Sequence, residues 1–445
     1  MDIRLRRTIS FIFIIAFIVC TPILLLYTTG FRYDLKKGQL QRTGALVLET
    51  APTNAEVLLN DEKAKSKTPA RLNNVLPGDY DVKINKPEHY PWQKKLTINT
   101  QETTFAEDII LFYQAEPQSI NGNNINTWSF SPDNNFLALI VNEFNQEHIY
   151  LYNLKNNKKK LVHVSQTPTT KHKIDWSPFG SYFLLTTDSS VTALSTGAPW
   201  KNLPVQATAK NFQWDANNYN ILYHQTGSNL YETNYLTQAT TKIFTLPTQA
   251  TLLDYYINDS EVFTIEKLNT KYLLTKYPLN TDTTIDLRKI IELNNPNYHF
   301  INIFKDKLAL FEETDQTIYL ANRSLDQIAF HKDGIISHDF LSSKGLLLLQ
   351  TSQELSYLDL NQDNLEEVTI TRYSQGLQNA KWHSSPPHVF MLKDQTVEII
   401  ELDDRNGNQT INLPIKQVQD LAVNSNQQLL YYIANNQLWS LALEK

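Results

Sequence analysis

An all-β fold hung on one N-terminal membrane helix is predicted for this 445-residue chain. Three observations predict it. After residue 29, apolar side chains recur at every second position in short runs divided by polar turns, the period of half-buried strands. A plan of aromatic residue, polar turn and apolar strand returns at intervals of about forty residues. Before residue 30 lies an uncharged apolar run long enough to cross a bilayer, and no later segment matches it.

Composition supports a folded, non-basic chain. Charged residues make up 19% and the hydrophobic class 41%, which fits a globular rather than a disordered protein. The formal net charge of −6 leaves no basic footprint and argues against nucleic acid as a main partner. Glycine is scarce, 12 residues in all. Asparagine fills the turns instead, as in "NGNN", "PDNN", "ANNYN", "NSNQQ" and "ANNQ". Asparagine tolerates the left-handed conformation better than most other side chains.

The apolar run is "TISFIFIIAFIVCTPILLLYTT", Thr8 to Thr29. Pro22 is tolerated in a membrane helix. Arg4, Arg6 and Arg7 precede it and favour a cytoplasmic N-terminus, although Arg32, Lys36 and Lys37 follow it. A cleavable signal peptide is the rival reading. Its apolar region would be unusually long, and no small-x-small cleavage site is present. The single cysteine, Cys20, lies inside the run, so no intramolecular disulfide exists, and Val19 spoils a lipobox. The expected division is a cytoplasmic tail 1–7, a membrane helix 8–29, a linker 30–43, a small sandwich 44–112 and a repeat domain 113–445. The bulk is then extracytoplasmic, at the cell membrane.

Within 44–112, "GALVLET" and Glu56–Leu59 read as strands around a turn at Pro52–Asn54. In "LPGDY", Pro77 presets one dihedral and Gly78 accepts a positive one. Tyr80, Val82 and Ile84 then alternate with Asp81, Lys83 and Asn85; "PEHYPW" interrupts, and Leu96 and Ile98 share one side of the next strand. "FAEDIILF" closes a β-sandwich of roughly seventy residues, near the lower limit for an independent core.

These residues resemble a PEGA domain. Pro52, Ala55, Val57, Thr68, Pro69, Leu76, Pro77, Gly78, Tyr80, Tyr90 and Trp92 match that pattern, while Asn54 and His89 stand where it has glycine. The flanking "LYTTGFRYDL" is similar to the juxtamembrane segment of membrane-anchored bacterial PEGA proteins. The resemblance implies an extracytoplasmic envelope protein whose small domain is a spacer or adhesion module without catalysis. Tyr80, Tyr90 and Trp92 are the candidate ligand-contact aromatics, an exposed face for glycans. The competing and preferred reading places them in the small core, because Tyr80 alternates in phase with Val82 and Ile84.

The repeat occupies the rest. "SFSPDNNFLALIV", "DWSPFGSYFLLTT" and "QWDANNYNILYHQ" are its clearest copies. Phe130, Trp176, Trp214, Tyr256, Ile303, Phe340, Trp382 and Val423 serve as equivalent anchors. Four short strands per copy, repeated about eight times, predict a β-propeller. Eight blades are favoured and seven are possible. The last copy ends after three strands, and "DIILFYQAEPQSI" is expected to supply the fourth and so join the two domains rigidly. The "SPD" and "WSPFG" turns are similar to those of TolB-type and WD-type propellers.

Chemistry is not evident in the text. The ten histidines are scattered, with His163 and His172 in one connection and His383 and His388 flanking a turn. No catalytic residue, metal set or cofactor site is assigned. "DDRNGNQT" reads as a hairpin around Asn406–Gly407, and "KNNKKK" as a solvated basic turn. Trp176, Trp214 and Trp382 read as packing between blades. Asp175, Asp254 and Asp339 are the only repeated acidic positions. They serve either as turn caps or, if they converge on the channel, as the carboxylates of a glycan hydrolase or lyase. The favoured expectation is a non-catalytic binding protein with an envelope protein or glycan as partner.

Overall fold

The computed structural model describes residues 3–444 except 36, 157, 166–171, 189, 198–201, 204, 206–207, 247–248, 280–288, 375, 385–386 and 425–427. One helix, α1 (Ile3–Thr28), opens the chain. From Thr8 to Thr28 it is long and apolar enough to cross a membrane, and its most apolar window is not buried by any of the described residues. Apart from one 3-10 turn (Pro178–Gly180), the regular structure described after it is β-sheet.

A two-stranded hairpin of β1 (Phe31–Asp34) and β2 (Gln39–Arg42) follows the helix directly. Next come β3 (Gly44–Ala51), β4 (Glu56–Leu59), β5 (Glu62–Lys63), β6 (Ala70–Val75), β7 (Gly78–Asn85), β8 (Trp92–Ile98) and β9 (Thr103–Ile110). They form two facing sheets, ordered β6-β3-β9 and β5-β4-β7-β8. The β3–β9 pair is parallel, with Ala45 opposite Thr103 and Ala51 opposite Ile110, so the chain crosses between the sheets to return. The alternation read from the sequence is the packing. Leu46, Leu48, Val57, Val82, Ile84, Leu96 and Ile98 point inward and are almost fully buried. Asn54, where a PEGA domain has glycine, has a φ of 65°, the left-handed conformation that glycine or asparagine supplies most readily.

Among the described residues the rest of the chain makes eight four-stranded sheets, the blades of a propeller. Blades 1 to 7 span residues 125–165, 172–203, 210–245, 251–293, 298–332, 335–372 and 377–412. Blade 8 takes three strands from 418–442 and its outermost from β10 (Gln118–Asn123), which pairs with Gln437–Ala442. Ring closure therefore occurs, but the closing strand is later than expected. Only Gln118–Ile120 of the predicted stretch pair there in register, because Thr103–Ile110 is already committed to the small sandwich. All eight sequence anchors fall on innermost strands. Each blade buries both faces against its neighbours, giving apolar layers such as Phe263, Ile265, Leu308 and Leu310 between blades 4 and 5.

The segment between β9 and β10 fastens the two domains. Ile110 and Phe112 sit in the core shared by blades 7 and 8, with Phe390, Leu392, Leu441 and Leu443. The Phe112 ring meets His383, His388 and Phe390 edge-on at 5.9, 5.2 and 5.8 Å between centroids. The Tyr113 amide donates to the Leu443 carbonyl at 2.8 Å. A side chain as large as Phe112, fully buried, contributes about 2–3 kcal/mol to this docking.

Candidate functional site

Among the described residues, the joint between sandwich and ring and the centre of the ring both gather polar side chains.

At the joint, β8 alternates inward and outward, and its inward set is Trp92, Lys94, Leu96 and Ile98. Lys94 is thus placed in phase with the core, its side chain only 2% exposed. Its ammonium lies 3.2 Å from Glu401 Oε2 and 3.4 Å from Asp403 Oδ2, and it donates to the Asp403 carbonyl. The indole of Trp92 donates to both oxygens of Glu401 at 3.2 Å. Burial pushes the Glu401 carboxyl above its ordinary range, against the opposing pull of Lys94 and Trp92. Burial would also raise Asp403. The Arg405 guanidinium and Lys94 outweigh it and hold Asp403 below its ordinary range. Arg405 grips Asp403 and donates to the Phe105 carbonyl at 2.7 Å. The loop "DDRNGNQT" is a hairpin turn of blade 7, with φ of 57° at Asn406 and 85° at Gly407, and it clasps the small sandwich.

The three candidate aromatics do not make an exposed face. Trp92 is buried at 4% exposure beneath Glu401. Tyr90 packs on the core between blades 7 and 8. Tyr80 packs on the sandwich core, and its hydroxyl donates to the Leu76 carbonyl at 2.8 Å. Core and joint claim them: Tyr80 and Trp92 fall in phase with buried neighbours on their strands, and Tyr90, in the connection before β8, packs on the blades.

In the channel, a cavity of about 740 Å³ opens among the inner strands of blades 2 to 5. It is lined by Lys173, Asp175, Trp176, Asn211, Gln213, Trp214, Asp254, Tyr256, His299 and Asn302, among others. Asp175 and Asp254 share it. Asp339 lines a different cavity, of about 460 Å³, with Asn379, Lys381, Trp382 and Asp420. The acids are not turn caps. Asp254 Oδ2 accepts the Phe300 amide of the next blade at 2.9 Å, and Asp339 Oδ2 accepts the Trp382 amide of its next blade at 2.8 Å. Asp175 pairs with Lys173 at 3.0 Å. Burial raises Asp254 to about 6, tempered by backbone amides and by Lys173 and Lys210. Burial likewise lowers His299 and His338.

Polar side chains cross blade junctions around the channel. Trp176 donates to Ser129 at 3.1 Å, and Trp214 to the Asp175 carbonyl at 3.1 Å. Gln213 exchanges two bonds with the Ile257 backbone, at 2.7 and 2.8 Å. Tyr256 donates to Asn302 at 2.9 Å. Asp420 accepts from Asn379 at 2.7 Å and from Trp128 at 2.6 Å, joining blades 7, 8 and 1. The three tryptophans read as packing residues do pack, Trp214 against Tyr182 and Tyr235 and Trp382 against Tyr357, with Trp176 and Trp214 also edging the larger cavity. Two of the paired histidines are structural as well: His172 bonds Glu147 at 2.8 Å, and His383 bonds Gln428 at 2.9 Å. His163 lies in the last strand of blade 1. Sequence reasoning missed Lys94, Glu401, Arg405 and Asp420. Only Lys94 carried a local signal, its phase with Trp92 and Leu96.

Residues 43–108 match the PEGA domain family. No curated protein matches the chain. Among solved structures, the ring is similar to the β-propeller domain of Cps50 (Swd1) from Myceliophteria thermophila, at 9% identity and TM-score 0.40, covering 74% of this chain and 100% of that one. It is similar to Hsv2 of Kluyveromyces lactis, at 12% identity and TM-score 0.40, covering 65% and 98%. The Dos1 propeller gives 10% identity and TM-score 0.47, covering 74% and 95%. None of these likenesses carries a function to this chain.

Proposed function

We propose that this protein is a membrane-anchored, extracytoplasmic binding platform without catalysis. The PEGA domain is its spacer, and the propeller presents a rigid face to an envelope protein or glycan. One observation carries the reading: the PEGA domain is docked on blades 7 and 8 by Phe112 and the Lys94 cluster, contacts that favour a rigid joint. A rigid mount lowers the entropy cost of engaging a partner at a fixed height above a surface. The aromatic, amide and charged lining of the larger channel cavity suits contact with sugar hydroxyls or a polar protein loop.

A second reading, a glycan hydrolase or lyase, draws on one observation: Asp254, raised to about 6, shares a cavity with Asp175. Its weakness is that Asp254 already holds a backbone amide across blades. Co-sedimentation of the detergent-solubilised chain with purified envelope polymers separates the readings. Binding that survives Asp254→Asn, with no new reducing ends released, supports the platform. Release of reducing ends that Asp254→Asn abolishes supports the enzyme. Failure to sediment with any polymer sinks the glycan form of the proposal and leaves a protein partner.

A further inference from the structure

The hairpin β1–β2 presents an apolar face that none of the described residues covers. Tyr33 and Leu40 are cross-strand partners and so share one face. They are 57% and 51% exposed, and Leu35 in the adjoining turn is 88% exposed. The opposite face is occupied, since Asp34, next in sequence to Tyr33, is buried and its charge reaches Tyr80 of the PEGA domain. Elsewhere past the helix, Phe144 and Leu236 stand far apart in the sequence, and Phe179 meets one exposed aromatic partner, Tyr219, at 6.3 Å between centroids. Here three fall within eight residues.

The hairpin is also fixed to the end of α1. The Arg32 guanidinium lies over the Tyr27 ring at 3.6 Å from its centroid and donates to the Tyr27 carbonyl at 2.9 Å. The Thr43 amide and hydroxyl both donate to the Gly30 carbonyl at 2.9 Å, so the hairpin closes on the helix terminus. Arg42 lies over Phe31 and donates to Gln101 of the PEGA domain at 2.8 Å. Lys37 adds an exposed cation at the turn. Aromatic, leucine and basic side chains together at the end of a spanning helix are the composition that a headgroup layer favours.

We infer that the hairpin Phe31–Arg42 lies in the lipid headgroup layer, with Tyr33, Leu35 and Leu40 inserted at the boundary of the acyl chains. This inference rests on α1 being a membrane helix. The hairpin is then a second, interfacial contact that stops the chain pivoting about a single helix. The base of the PEGA domain, bonded to it through Gln101 and Thr43, is held down on the bilayer.

The test uses the full chain, with Cys20→Ser, in liposomes of phosphatidylcholine and phosphatidylglycerol. An environment-sensitive fluorophore is attached in turn through Leu35→Cys, Leu40→Cys, Ile15→Cys within α1 and Phe144→Cys on blade 1. The inference expects nitroxide-labelled lipids to quench the probes at positions 35 and 40 severalfold more than the probe at 144. Quenching there should be strongest for nitroxides near the headgroup, whereas position 15 responds to deep ones. If positions 35 and 40 behave like 144 while 15 is quenched by lipid, the inference is wrong and the anchor stands. If 15 is not quenched either, both fail together.

Discussion

Replacing Lys94 by alanine loads the joint between the PEGA domain and the ring. The side chain is 2% exposed and faces two carboxylates, Glu401 at 10% and Asp403 at 21% exposure. At an effective dielectric of about 20, its 3.2 Å contact with Glu401 carries roughly 5 kcal/mol of gross attraction. Desolvation of the charges offsets much of that in the intact protein. The variant keeps the desolvated carboxylates and loses the attraction, a situation that costs about 3 kcal/mol. Exchange of the Tyr113 amide, bonded to Leu443 across the joint, should then accelerate about a hundredfold if the joint opens as a unit. The sign of the pH effect follows from Glu401. Without Lys94 its folded pKa, already raised by burial, rises further, so the folded state takes up a proton as the pH falls and the deficit shrinks. Lys95 is the control, since its pair with Asp79 is half exposed and screened by solvent. If Lys94→Ala accelerates Tyr113 exchange no more than Lys95→Ala does, the buried cluster does not hold the joint.

Two further outcomes are expected. Asp254 has a folded pKa of about 6 against 3.8 for the free group, so the folded state binds the proton more tightly and its contribution to stability falls as pH rises from about 4 through 6. Asp254→Asn keeps an acceptor for the Phe300 amide, and urea melts at several pH values should show it more stable than wild type at pH 7, by up to about 3 kcal/mol, with the difference vanishing toward pH 4. Asp420→Ala strips the Trp128 indole and the Asn379 amide of their acceptor at the point where the last blade meets the first, and equilibrium unfolding should register a loss of about 3 kcal/mol, whereas Asp420→Asn should recover part of it.

The propeller was legible because its repeat is written in local pattern. The aromatic or apolar anchors from Phe130 to Val423 all mark inner strands, and three strands left over at the C-terminus point to closure from the N-terminal side. The PEGA sandwich was legible for the same reason, since alternation along Tyr80–Ile84 is visible in a single strand. The fate of Asp254 and Asp339 was not. Their partners are backbone amides about 43–46 residues away in the next blade, and a backbone amide has no letter in the sequence. The burial of Trp92 was expected, but its cover was not: Glu401 lies 309 residues further along. Lys94 was half legible: period two places it inward, but only the fold supplies the acids that make an inward lysine tolerable.

Assembly of the ring runs against the order of synthesis. Gln118–Asn123 leaves the ribosome early, yet its partner strand is Gln437–Ala442. Until that strand arrives, β10 is an open edge and the floor beneath Phe112 is missing, because Leu441 and Leu443 form part of it. The PEGA core needs nothing beyond Leu111, whereas the strap that follows it has no complete seat until the last strand is made. A chain cut short before residue 437 loses more than its final blade: the same few residues fasten the two ends of the ring and seat the domain at the other end of the polypeptide, so a late stop codon unseats the first domain as well as the last blade.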